Sequence, residues 1–166
     1  YNTVRYTRFC ILIVASTLFF TSQLFAQKQK LEPKDYGQWQ RITNTELSAS
    51  GNWFAYNINL VDGDGWLNIK EVGTDSTGTN KFMHGTRPDF SANNKWAAFL
   101  IGVSEDKREK LEKQKQRVHY KLGLMNLSTS KVDTFKNVQS YQFSDNSKYL
   151  AMTKYKPKEV QTEGQD

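Results

Sequence analysis

Cysteine is almost missing from the 166-residue sequence: Cys10 stands alone, which excludes an internal disulfide and any cysteine-based zinc site. Histidine is nearly as scarce, with only His84 and His119, so a histidine-rich metal centre is excluded too. Long apolar runs are lacking beyond the first 26 residues, and the mean hydropathy of −0.71 excludes a polytopic membrane protein. Gly-x-Ser-x-Gly, Gly-x-Gly-x-x-Gly and phosphate-loop motifs are also absent, so the chain offers no nucleophile elbow and no nucleotide cradle. Catalytic residues, cofactor-binding residues and metal ligands are therefore assigned to no position. What is present is aromatic: Phe, Trp and Tyr make up 13% of the chain, too much for compositional disorder.

The first residues read as a targeting segment. Arg5 and Arg8 flank an apolar run from Phe9 to Phe20, and a more polar exit leads to the small residue Ala26. That order fits a secretory signal peptide over residues 1–26. A helix of this run is ~18 Å long against a bilayer core of about 30 Å, so no stable membrane span is expected after cleavage. An uncleaved anchor extending to Ala26 is the alternative. Cys10 lies inside the run and not just after it, a poor position for lipidation. The expected localisation is exported, periplasmic or secreted.

Charge is positive overall, with 23 basic and 17 acidic residues giving +6. Exported proteins seldom meet nucleic acid, and none is expected as a partner. The excess is concentrated between Glu105 and Lys121, where seven basic and four acidic residues interleave. Mixed signs at this spacing suit a solvated helical face with paired charges. A stripe that binds anions or a charged surface is the second reading.

Internal repetition organises the rest. Leu47-Ser48-Ala49-Ser50-Gly51-Asn52-Trp53-Phe54-Ala55-Tyr56 aligns with Phe90-Ser91-Ala92-Asn93-Asn94-Lys95-Trp96-Ala97-Ala98-Phe99. Phe143-Ser144-Asp145-Asn146-Ser147-Lys148-Tyr149-Leu150-Ala151-Met152 is a third copy. The serines stand 43 and 53 residues apart, and the charged stretch 104–117 accounts for the longer interval. Ser-x-(Ser/Asn)-(Gly/Asn/Ser) supplies side chains that bond local backbone and tolerate a left-handed φ, so each copy predicts a tight turn followed by a buried strand. Trp66–Val72 and Lys121–Leu127 alternate with period two, and Lys81–Met83 and Val132–Phe135 add one short strand each.

Four short strands in about 43 residues is the size of a β-propeller blade; a β-sandwich does not repeat one motif at that interval. The expected fold is all-β, an incomplete propeller preceded by a signal-peptide helix. Its parts are a lead-in at 27–41, blade 1 at 42–85, blade 2 at 86–137 with an insertion at 104–117, and the start of blade 3 at 138–166. Propellers close with four or more blades, so the chain is expected to be the N-terminal piece of something longer. The insertion carries Leu111 as its only apolar residue, cannot pack as a core helix, and reads as a protruding, mobile, helical excursion between the second and third strands of its blade.

Lesser motifs carry little. Asp62-Gly63-Asp64-Gly65 has the opening of a calcium loop, but Trp66, Leu67 and Gly73 stand where its later ligands and glycine belong, so a hairpin turn is the better reading. His84 and His119 have no recognisable carboxylate and nucleophile partners and read as structural or exposed. Asn126-Leu127-Ser128 is formally a glycosylation sequon, given little weight in a bacterial-type export context.

Leu31-Glu32-Pro33-Lys34-Asp35-Tyr36-Gly37-Gln38-Trp39, then Arg41-Ile42 and the first serine repeat, resembles the mature start of exported bacterial prolyl oligopeptidase family serine peptidases. The resemblance runs from about Leu31 to Lys156 and includes the lysine-rich insertion. It implies a propeller stacked on its own C-terminal α/β-hydrolase domain, which bears a Ser-Asp-His triad, with the blades admitting only short peptides. None of those catalytic positions exists here, so this chain alone is expected to be inactive while the full-length protein acts on peptides. Tol-associated periplasmic propellers share the blade repeat, and a non-enzymatic propeller binding protein or peptidoglycan-associated partners is the alternative function.

Overall fold

The computed structural model describes residues 30–73 and 78–156. The signal segment 1–26 with Cys10, part of the 73–78 turn and the last residues of the third repeat lie outside that range. The chain divides into a unit up to Glu32 and a unit from Pro33 onward; the architecture below belongs to the second. After a one-turn helix α1 (Pro33–Tyr36) come β1 (Gln40–Leu47), β2 (Trp53–Leu60), β3 (Trp66–Glu71) and β4 (Thr79–Met83). There follow β5 (Gly85–Phe90), β6 (Trp96–Ile101), a helix α2 (Glu105–Lys113), β7 (Lys121–Asn126) and β8 (Val132–Lys136). A hairpin of β9 (Val138–Phe143) and β10 (Leu150–Lys154) completes the described part. The strands form two four-stranded antiparallel sheets in plain sequence order, β1-β2-β3-β4 and β5-β6-β7-β8, plus the β9-β10 pair. This is the all-β meander that the repeats predict.

The serine motifs make the β1–β2, β5–β6 and β9–β10 turns, and the structure repeats them bond for bond. The hydroxyls of Ser48, Ser91 and Ser144 each accept the backbone N–H of Trp53, Trp96 and Tyr149 at 3.0 Å. Gly51, Asn94 and Ser147 each donate their backbone N–H to the carbonyl of their serine at 2.8 Å. These same three residues are left-handed, at φ +75, +56 and +54°, so Asn and Ser do work that glycine does without steric cost. A further bond runs between copies. Ser50 N–H donates to Asn94 Oδ1 at 3.0 Å, and Asn93 N–H donates to Ser147 Oγ at 3.1 Å. Each turn is thereby fastened to the next, in one direction along the chain.

Burial follows from where each strand sits. Every residue of the β6 interior, Ala97 to Leu100, is buried, the continuous apolar run of a strand covered on both faces. Ala97 and Phe99 pack with Ala55, Leu67 and Ile69 of the first sheet. Ala98 and Leu100 turn the other way, toward Val138, Tyr141 and Leu150 of the hairpin. Phe99 lies against Phe82, ring centroids 4.4 Å apart, and its register partner is Gly123. A Cβ at Gly123 would lie 2.6 Å from the Phe99 ring, so glycine is what lets the ring fill the gap between sheets. Burying such a side chain contributes about 1.5–3 kcal/mol.

The insertion is a helix with no buried residue, and it leaves between β6 and β7. One feature differs from a freely protruding excursion. Glu105 N–H donates to Asp64 Oδ1 at 2.7 Å, and Gly63 N–H donates to Glu105 Oε2 at 2.8 Å. The first turn of α2 is thus pinned to the β2–β3 loop of the neighbouring sheet. The physical reason is local: Ser104 supplies no side-chain cap, and the Asp64 carboxylate satisfies an orphan amide at the positive end of the helix.

Candidate functional site

Antiparallel alternation puts the serine turns at one end of the sheets and the β2–β3, β4–β5 and β6–β7 connections at the other. At that second end lies a cleft of about 320 Å³ between the first two sheets. Asn44, Asn57, Asp64, His84, Glu105 and Arg108 are among its polar lining. Asn57 is buried, and its Nδ2 donates to the carbonyl of Gly85 at 2.5 Å, closing the cleft floor between sheets. Arg108 Nη2 donates to Glu105 Oε1 at 2.6 Å, so the acid that pins α2 is itself neutralised.

His84 is the single residue linking β4 to β5, and its backbone is left-handed at φ +57°. Its N–H donates to Gly65 O at 3.0 Å, and its own carbonyl accepts Gly102 N–H at 2.9 Å. Asn137, the corresponding link between β8 and β9, repeats this with φ +59° and a 3.1 Å bond from Tyr155 N–H. The strained backbone at His84 therefore belongs to the repeat and is no sign of catalysis by itself. Gly85 follows because a Cβ there would come within 2.7 Å of Leu67 Cβ.

The expectation that His84 lacks a carboxylate partner is corrected: its Nδ1 lies 3.5 Å from Asp64 Oδ1. Asp64 thus meets His84 at the end of the β3–β4 pairing and, across to the second sheet, the first amide of α2. The Asp62–Gly65 segment is a turn, as expected, and no group of three or more His, Cys, Asp or Glu that could hold a metal occurs among the described residues. No hydroxyl hydrogen-bonds His84 among the described residues, so an imidazole and carboxylate stand together without a nucleophile, one part of what covalent acyl transfer needs. Their contacts position a helix. Asn126 Oδ1 accepts the N–H groups of Ser128 and Thr129 and so caps the β7–β8 turn.

A smaller concavity of about 240 Å³ faces β5 and β9 and includes Arg87, Asp89 and Tyr141. Both β1 and β5 carry a register shift here, with Asn44 and Arg87 left-handed at φ +47 and +50°. Tyr141 hydroxyl donates to the carbonyl of Arg87 and stands 3.0 Å from that of Ala98. Burial, then the nearby Asp89 charge, pushes the phenol well above its ordinary value and keeps it a donor. Burial likewise raises the Asp89 carboxyl above 3.8, opposed by its bond to the Phe90 backbone. Nothing in the sequence pattern points to this trio, since the bulge that brings Arg87 round is invisible to alternation.

No family model matches the sequence, and no match appears among curated proteins. Solved structures do match in shape. The β-propeller domain of the Trilobed protease from Pyrococcus furiosus, described as having an open velcro topology, aligns with a TM-score of 0.51 at 16% identity. That alignment covers 69% of this chain and 34% of the other. Acylaminoacyl peptidase from Pyrococcus horikoshii aligns at TM-score 0.54 and 16% identity, over 78% of this chain and 20% of that one. An acylaminoacyl peptidase in complex with a Z-Gly-Gly-Phe-chloromethyl ketone gives 0.54 at 14%, over 79% and 20%. The fold is an incomplete β-propeller. Each four-stranded sheet is a blade, and the chain spans 20 to 34% of the length of the structures it resembles.

Proposed function

We propose that this chain is the N-terminal propeller portion of an exported serine peptidase of the prolyl oligopeptidase family, with blades that restrict a distant active site to short peptides. The observation that carries the reading is the likeness of its blades to the propellers of peptidases. The lead-in resemblance over Leu31–Ile42 supports it from the sequence side. The layout is compatible as well: the lead-in enters β1 at the α2 end, where Val61 N–H donates to Trp39 O at 3.1 Å, and β10 returns to that same end. A C-terminal α/β-hydrolase domain attached there would face the β2–β3 loop, His84 and α2. The blades act sterically, as part of a channel wall. They contribute no nucleophile, base or oxyanion donors.

The test is substrate size. The full-length gene product should cleave blocked short peptides and leave a reduced, unfolded protein substrate untouched, while the present chain cleaves neither. Cleavage of both substrates by the full-length product would remove the gating role. An open reading frame that closes after the propeller, or continues into a peptidoglycan-binding module, would replace the peptidase by a binding propeller.

A further inference from the structure

We propose that the cleft beneath α2, on the rim of the second blade, is a binding site for acidic peptide segments. It is a concavity of about 570 Å³ lined by Val103, Lys107, Leu111, Lys115, Arg117 and His119, among others. That volume falls within the roughly 300–1,000 Å³ of ligand pockets. All the formal charge on its lining is positive.

The charge is left over by design of the helix. On α2, Glu105 and Glu112 meet Arg108, and Glu109 meets Lys113. Those pairs exhaust three of the four acidic residues of the insertion and only two of its cations. Lys107, Lys115 and Arg117 form no salt bridge with any described residue, and all three are exposed. Lys107 and Leu111 stand one helical turn apart, so cation and apolar floor share a face. Close by, at the same end of the blade, Lys121 pairs directly across the strands with Lys136. Like charges in register are destabilising, and neither lysine forms a salt bridge among the described residues. Just past β10 lies Tyr155, whose ring stacks on His119 with centroids 4.3 Å apart and planes 1° from parallel; Lys154 and Lys156 flank it in the chain.

These features select the occupant. Unpaired cations around one concavity raise the local concentration of an anion and steer its approach. Val103 and Leu111 give the cleft apolar walls, and the His119 ring on its lining is held by its stack on Tyr155; such walls suit side chains between carboxylates. A flat anionic membrane would meet the lysines but leave the concave floor unfilled. The ligand class is therefore a short peptide that alternates acidic and apolar residues. The site stands on this chain's own side chains and does not depend on a peptidase domain.

The experiment titrates the full chain into a fluorescein-labelled Glu-Phe-Glu-Glu-Phe-Glu peptide and reads anisotropy. The expected result is saturable binding that weakens as salt shortens the Debye length toward about 8 Å. The Lys-Phe-Lys-Lys-Phe-Lys counterpart should not bind. The K107E/K115E/R117E variant should bind at least about tenfold more weakly, and K107Q/K115Q/R117Q should weaken it less. Circular dichroism of each variant should match the parent, since these side chains are exposed and unpaired. K95E/K148E, at the serine-turn end, should leave affinity unchanged. Equal loss in K95E/K148E would overturn the site by showing that only net charge matters. Tighter association with phosphatidylserine vesicles than with the peptide would overturn it in favour of a membrane surface, and no binding of the peptide would overturn it outright.

Discussion

The two ends of the blades follow different rules. At the serine end, three turns reuse one set of hydrogen bonds, with the same distances to within a few tenths of an ångström, and each is tied to its neighbour through Asn94 or Ser147. At the other end the single-residue links His84 and Asn137 repeat, but the longer connections do not. One is a five-residue Asp-Gly loop and the other carries a nine-residue helix. The difference teaches where a propeller stores its fold and where it can vary. A turn that fastens blade to blade cannot change without loosening the ring, whereas the opposite loops can grow at small entropic cost. The two larger clefts, and the unpaired cations that line one of them, lie among the variable loops.

The comparison breaks first at the serines. Ser91 is fully buried, Ser48 nearly so, and Ser144 only half-buried. Ser91→Ala leaves the part-buried N–H of Trp96 without its partner and should cost about 1–2 kcal/mol. Ser144→Ala should cost less, because water can replace the hydroxyl. Urea unfolding of the two variants checks this; equal losses would mean that burial does not grade the repeat.

Asn94 separates the two tasks of the fourth turn residue. Asn94→Gly keeps the left-handed φ and gives up the bond from Ser50 together with the exposed one from Asn94 Nδ2 to Ala92 O, a loss of about 0.5–1.5 kcal/mol. Asn94→Ala adds a backbone penalty and should be the worse of the two. A milder effect for alanine would show that φ is not the constraint.

At the variable end the expected effect is local. Asp64→Ala removes the acceptor that pins the first amide of α2, so trypsin should cut between Lys107 and Arg117 several-fold faster while the melting temperature barely moves. In the parent chain those sites should still be the first cut inside the blades, because α2 buries nothing. First cuts at Lys70 or Lys148 would make the blades the looser part.

The smallest effect lies at Asp89. Its carboxyl is raised above 3.8 by burial, so the folded state holds the proton more tightly than the unfolded chain. That contribution is full below the ordinary carboxyl value and is lost as pH rises through the raised one. Asp89→Asn should therefore gain a few tenths of a kcal/mol on the parent as pH climbs from about 4 toward 7. A constant difference across that window would remove burial as the cause.

What could be read in the sequence was whatever repeats or alternates. Ser48, Ser91 and Ser144 announce their turns because the turn is made by residues within six positions of each other, and Trp66–Glu71 announces a strand by its period of two. His84 meeting Asp64 leaves no such trace: the contact depends on a left-handed link and on the β3–β4 register that sets Gly65 beside His84. The same holds for Asp64 and Glu105, 41 residues apart, and for Tyr141 reaching the carbonyl of Arg87 across blades. Charge in the insertion was legible; which cations would be left unpaired was not, since that needed the helix phase and its i,i+4 neighbours.

The central claim, a peptidase propeller, is tested most directly by a fluorophosphonate probe that labels activated serines. The full-length gene product should be labelled at one serine in a Gly-x-Ser-x-Gly sequence beyond the last blade, mapped by mass spectrometry, and the present chain should take up no label. A full-length product that stays unlabelled while correctly folded would contradict the account.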